Sequence, residues 1–180
     1  MRYHYRYLYI IIVMILLSAL VFGYAQADPL DNPTVTGDVI LSIADGTNTL
    51  TLDAGIHANN TLLVLDATLV ITLPEATGTG NRYKIVQGIA ATASSFVTAD
   101  TANAGFFGML LAYDDDVDTD LNSWNALPGV SDTVTFSGTA TGGKIFDHVE
   151  FIDIATDKWL VSGQISQSGG SEVTPFSSAG

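Results

Sequence analysis

Cysteine is absent from this 180-residue chain, so neither a disulfide nor a thiolate metal site is available to it. Cations are scarce as well: six lysines and arginines stand against nineteen acids, a formal charge of −13 at neutral pH. That balance repels phosphate backbones and anionic lipid, which excludes nucleic acid as a partner. Of three histidines, only His57 and His148 lie beyond the hydrophobic N-terminus, too few for a three-histidine metal centre. Beyond residue 27 no window holds a 3.6-residue apolar period, which argues against a helical bundle.

What is present begins with a three-part leader over residues 1–27. Arg2 and Arg6 form a basic region, Leu8 to Phe22 an apolar run, and Ala25-Gln26-Ala27 a small-x-small cleavage site. The run is shorter than the roughly 18–20 residues of a spanning helix, so the reading is a signal peptide cut after Ala27. If it is left uncut, this leader is the chain's one route to a membrane. Either way Arg82, Lys84, Lys144 and Lys158 are the only cations from Asp28 onward.

The remainder suits one domain with a core of its own. Short apolar runs, often alternating and rich in Thr and Val, recur between Gly, Asn, Asp and Pro clusters, the pattern of an all-β protein. We read an extended arm over 28–37, a β domain over 38–165 and a Ser/Gly-rich tail over 166–180. The domain is expected to be a single antiparallel β-sandwich or barrel-like fold. Ten strands are predicted: 38–43, 49–52, 61–65, 69–73, 83–87, 95–98, 108–113, 133–137, 148–153 and 158–165. At most one short helix is expected, within 99–107 or 120–126. Pro74, Gly78 and Gly80 mark the clearest chain reversal, since proline ends the incoming strand and the glycines supply positive φ. No internal repeat is expected: Asn48 to Leu52 resembles Asn60 to Leu63 only as far as β propensity makes it.

Candidate chemistry is thin. Asp116, Asp118 and Asp120, alternating within Asp114 to Asn122, resemble the first half of a calcium loop, because oxygen ligands at every second residue can converge on one hard ion. The second half departs from that pattern, with Leu121 at the sharp-turn glycine position and Leu127 where a bidentate Glu belongs. Calcium at these three aspartates is thus the one cofactor to consider; otherwise none is expected. His57 and His148 have no strained Gly-x-Ser-x-Gly elbow to serve, and read as structural. Trp159 reads as core, whereas Trp124, in Asn122-Ser123-Trp124-Asn125, is a candidate stacking surface. No catalytic residue is assigned and no enzyme is expected.

Several stretches in order carry a resemblance. They are Asp45-Gly46-Thr47, His57-Ala58-Asn59, the turn Leu73 to Gly80 leading into Arg82-Tyr83, Asp132 to Thr135, Gly142-Gly143, Asp147 to Asp153, Lys158-Trp159 with Gly163, and Thr174-Pro175-Phe176. On these residues the chain resembles small β-rich virion proteins of tailed bacteriophages, of the capsid decoration or head-fibre kind. The resemblance implies a non-enzymatic homo-oligomer, often a trimer, bound to capsid or fibre proteins on the exterior of the particle. The alternative, which the leader favours, is a secreted, periplasmic or surface-attached bacterial β-sandwich that binds a glycan or protein through Trp124 and the acidic loop.

Overall fold

The computed structural model describes residues 40–43, 49–92, 95–99, 105–116 and 120–178, all within one compact unit, Asp38–Gly180. The leader, and the arm over 28–37, lie outside the described residues. The strands are β1 Ile40–Ile43, β2 Thr49–Thr51, β3 Asn60–Val64, β4 Val70–Leu73, β5 Arg82–Gln87 and β6 Ser95–Ala99. They continue with β7 Gly105–Asp114, β8 Leu121–Asn125, β9 Thr133–Phe136, β10 His148–Ala155, β11 Lys158–Gln167 and β12 Phe176–Ser177. A single helical turn, α1 Ala54–His57, is capped by Asp53, whose carboxylate accepts the N–H groups of Gly55 (2.7 Å) and Ile56 (3.2 Å).

The protein is β-rich as expected, but its sheets are mixed rather than antiparallel, and no barrel closes among the described residues. One sheet has seven strands in the order β1-β3-β5-β10-β11-β7-β8, the other five in the order β12-β9-β6-β4-β2. The departure from antiparallel pairing has a simple cause. The first six strands alternate between the sheets, so each short connection crosses to the other layer instead of folding back as a hairpin. A strand returning to its own sheet two connections later runs parallel to its predecessor, and β1-β3-β5 and β2-β4-β6 are parallel throughout. The later strands pair antiparallel, β7 with β8, β9 with β6 and β12, and β10 with β5 and β11, except that β11 runs parallel to β7.

This winding also lays one pair of similar segments over each other. Ile40 lies opposite Thr61 and Thr49 opposite Val70, an offset of 21 residues in both sheets. The same offset lays Asp45-Gly46-Thr47 on Asp66-Ala67-Thr68, and Leu50-Thr51-Leu52 on Ile71-Thr72-Leu73. The similar segments Thr49–Leu52 and Asn60–Leu63, by contrast, belong to different sheets. The next turn does not keep this offset, which becomes 23 residues in one sheet (Asn60 opposite Tyr83) and 26 in the other (Val70 opposite Phe96).

Both sheets contribute to one core, in which Leu62, Ile85, Phe151 and Trp159 of the larger sheet meet Ile71, Leu73, Val134 and Phe136 of the smaller. Alternation explains the selection, since every second residue of a strand faces inward. Each such side chain contributes roughly 1.5–3 kcal/mol when fully buried. Trp159 is core as read from sequence, and packs edge-on against Tyr83 with ring centroids 5.7 Å apart.

All ten predicted strands are present with shifted ends. Of the two ranges considered for at most one short helix, 99–107 is only partly described, with residues 100–104 outside the described set and Gly105 opening β7, whereas in 120–126 Leu121–Asn125 pairs with β7 as strand β8. A run of alternating polar and apolar residues beside an exposed strand edge gains more from ladder hydrogen bonds than from one isolated helical turn. The Ser/Gly-rich tail also begins later than its composition suggested, because β11 runs on through Gln167 and Phe176, 7% exposed, anchors β12 against β9.

Candidate functional site

Two buried carboxylates organise loops. Asp153, inward-facing on β10, grips the 77–79 turn: its carboxylate accepts the N–H groups of Thr77 (3.1 Å), Gly78 (2.6 Å) and Thr79 (3.0 Å) and the Thr79 hydroxyl (2.7 Å). Burial alone would raise its pKa, but these hydrogen bonds, the Thr79 hydroxyl foremost, bring it below the ordinary carboxylate value. Asp147 accepts the N–H groups of Gly143 (2.8 Å), Lys144 (3.0 Å) and Ser166 (2.9 Å), and ties that turn to β11. Here burial prevails over the three donors, and its pKa is raised. A third polar hub is Gln167, which accepts the indole N–H of Trp124 (2.8 Å) and donates to the carbonyls of Ala140 (2.6 Å) and Val173 (2.9 Å).

The acidic loop is assembled differently from the expected calcium half-loop. Carboxylate oxygens of Asp114, Asp116 and Glu172 lie within 4.8 Å of one another. Asp118 is outside the described residues. Asp120 is not in the group; its carbonyl accepts the Asp114 N–H (3.0 Å), closing the chain into β8. Glu172 comes from the C-terminal segment, a meeting that no linear motif could anticipate. The Asp116 N–H lowers the Asp114 pKa, but burial and the neighbouring Asp116 and Glu172 charges raise it on balance. Three hard oxygens are half of what calcium takes, and the Asp116 carboxylate already accepts the Gly169 N–H.

His57 accepts the Asp53 N–H at Nδ1 (2.8 Å) and stabilises α1. His148 stands on the outer face of the seven-stranded sheet, registered between Val86 and Gln164. Among the described residues neither histidine is hydrogen-bonded to a serine or carboxylate side chain. Trp124, half-buried with its indole N–H committed to Gln167, is not a free stacking surface.

The surface that sequence reading missed is that outer sheet face. Outward residues of β7 are all apolar or aromatic: Phe107, Met109, Leu111 and Tyr113. Two adjoining grooves of about 450 and 460 Å³ share Leu111, His148 and Gln164. Their rim carries Leu121, Ile145 and Phe146, which are 69%, 51% and 78% exposed. Phe146 also has φ of +73°, a conformation that a bulky residue adopts only under constraint from its surroundings. The signal was in the sequence: Gly105-Phe106-Phe107-Gly108-Met109-Leu110-Leu111-Ala112-Tyr113 is apolar on both faces, which marks a strand that something covers on both sides. Comparisons with family models, curated proteins and solved structures find no match for this chain.

Proposed function

We propose that this chain is a non-enzymatic structural protein of a tailed-phage particle, a capsid decoration or head-fibre component on its exterior, working through assembly of β domains. The observation that carries the reading is the apolar outer face of the seven-stranded sheet. A small-molecule site gathers a few convergent polar groups in a concave pocket. On this face Met109, Leu111, Tyr113, Leu121 and Phe146 extend across both shallow grooves and their rim rather than lining one pocket, as apolar residues of protein contacts do. The buried polar groups add support, since Asp147, Asp153 and Gln167 are spent on holding turns and strands together.

Mass spectrometry of purified particles, with antibody labelling of intact ones, tests the reading. The chain should be present in many copies and accessible from outside. Its absence from particles, with recovery from the medium or surface of uninfected cells, would replace this reading with the secreted binding module.

A further inference from the structure

The charges of this molecule are unevenly placed. Three of the four cations from residue 28 onward stand on the outer face of the seven-stranded sheet: Arg82 and Lys84 on β5 and Lys158 on β11, each outward where its strand neighbours are buried. The only acid that the strands place on this face is Glu150, which is taken by Arg82 at 3.5 Å. Lys84 lines one groove, and the Lys158 ammonium lies 5.9 Å from the centre of the Phe107 ring. Neither makes an ion pair among the described residues. In a chain of net charge −13, this face is apolar and carries three cations, and among the described residues Asp147 and Glu150 are the acids that line its two grooves.

We infer that this face docks onto the acidic surface of a second copy of the chain. Its complement must be apolar in part and negative, and the rest of this molecule supplies that chemistry at the same local concentration. The contact is heterologous, because pairing the face with itself would oppose Lys84 and Lys158 to their own kind across a two-fold axis. Repetition of such a contact closes into a ring or extends as a filament. Phe146, displayed at positive φ on the rim, is the aromatic anchor, the residue type that dominates contact energies. The inference deepens the assembly reading and rests on it.

The test couples lysines to carboxylates with a zero-length carbodiimide in an equal mixture of ¹⁴N- and ¹⁵N-labelled full-length chains, beside sedimentation of the same sample. Heavy–light links from Lys84 or Lys158 to acids of another copy are expected. The variants Lys84→Glu and Phe146→Asp should each weaken association by roughly tenfold or more. Ile56→Asp, on the exposed face of α1, should leave it unchanged, and unaltered circular dichroism and melting verify that the variants fold. A monomer at every accessible concentration would overturn the inference. So would links confined to single chains, such as one from Lys84 to Glu150, its neighbour across the β5–β10 ladder. An oligomer that survives both face variants would also overturn it, yet leave the assembly reading standing, because copies would then meet through another surface.

Discussion

Asp147 and Asp153 hold turns by the same means, yet their proton equilibria have opposite signs. A lowered carboxylate pKa means that the folded state binds the proton less tightly than the unfolded chain. Asp153 therefore contributes fully above the ordinary value of 3.8, and its contribution fades as pH falls through the folded pKa. For Asp147 the pKa is raised, so the favourable part is present below 3.8 and is lost as pH rises through the folded value. Asp153→Asn keeps the shape but turns an amide toward N–H donors of the 77–79 turn, and should cost about 2–3 kcal/mol at neutral pH. Urea unfolding at several pH values checks this: the deficit should shrink below pH 3.8, where the wild-type carboxylate is itself becoming protonated. Asp147→Asn should show the reverse trend, its stability relative to wild type improving as pH rises from 3.8 through the raised pKa. A pH-independent difference for either variant would assign its effect to shape alone.

At the scale of elements, β7 is the strand on which most depends, because it pairs with β11 and β8, contributes Phe106 and Leu110 to the core, and presents the outer apolar stripe. It passes β11 closely at Gly108, where φ is +120° and a Cβ would lie 2.1 Å from the Val161 carbonyl oxygen. Gly108→Ala should therefore cost roughly 2–4 kcal/mol, read as a lower urea midpoint with an unchanged slope. A change within about 0.5 kcal/mol would mean that the two strands separate there without cost. The sequence made such strands legible but not their partners. Alternation at Tyr83 to Gln87 and Lys158 to Ile165 marked both strands and their inward faces, because period-two burial is a local property. Parallel pairing was hidden, since direction is set by whether a connection crosses layers, and Asp45-Gly46-Thr47 looks as much like a hairpin turn as a crossover. β8 was hidden for another reason: Leu121 to Asn125 lacks β-branched residues and is a strand by virtue of the β7 edge. The Glu172 contribution to the acidic cluster, and the Asp153 grip on a turn some 75 residues away, are tertiary facts with no local pattern.

The whole molecule is a strongly negative object, and its response to salt follows from that. Among the described residues only two ion pairs are formed, Arg82 with Glu150 and Lys144 with Asp115, and the Arg82 side chain is 59% exposed. Surface pairs of this kind contribute about 0–1 kcal/mol, too little to offset mutual repulsion among nineteen acids. Screening at about 0.1 M salt shortens the reach of these charges to roughly 10 Å, and the repulsion suffers most because it is summed over long distances. Moving from about 10 mM to 150 mM sodium chloride should thus raise the melting temperature by about 2–5 °C. The Asp153 deficit, which arises within hydrogen-bond distance, should be the same at both salts. Self-association through Lys84 and Lys158 should move the other way, since attraction between the cationic face and an acidic partner surface is itself screened. One salt series on the same sample thus separates the two effects by sign: melting temperature rising while association weakens. If both fell together, the folded state would be held by its few ion pairs rather than strained by its excess of acids.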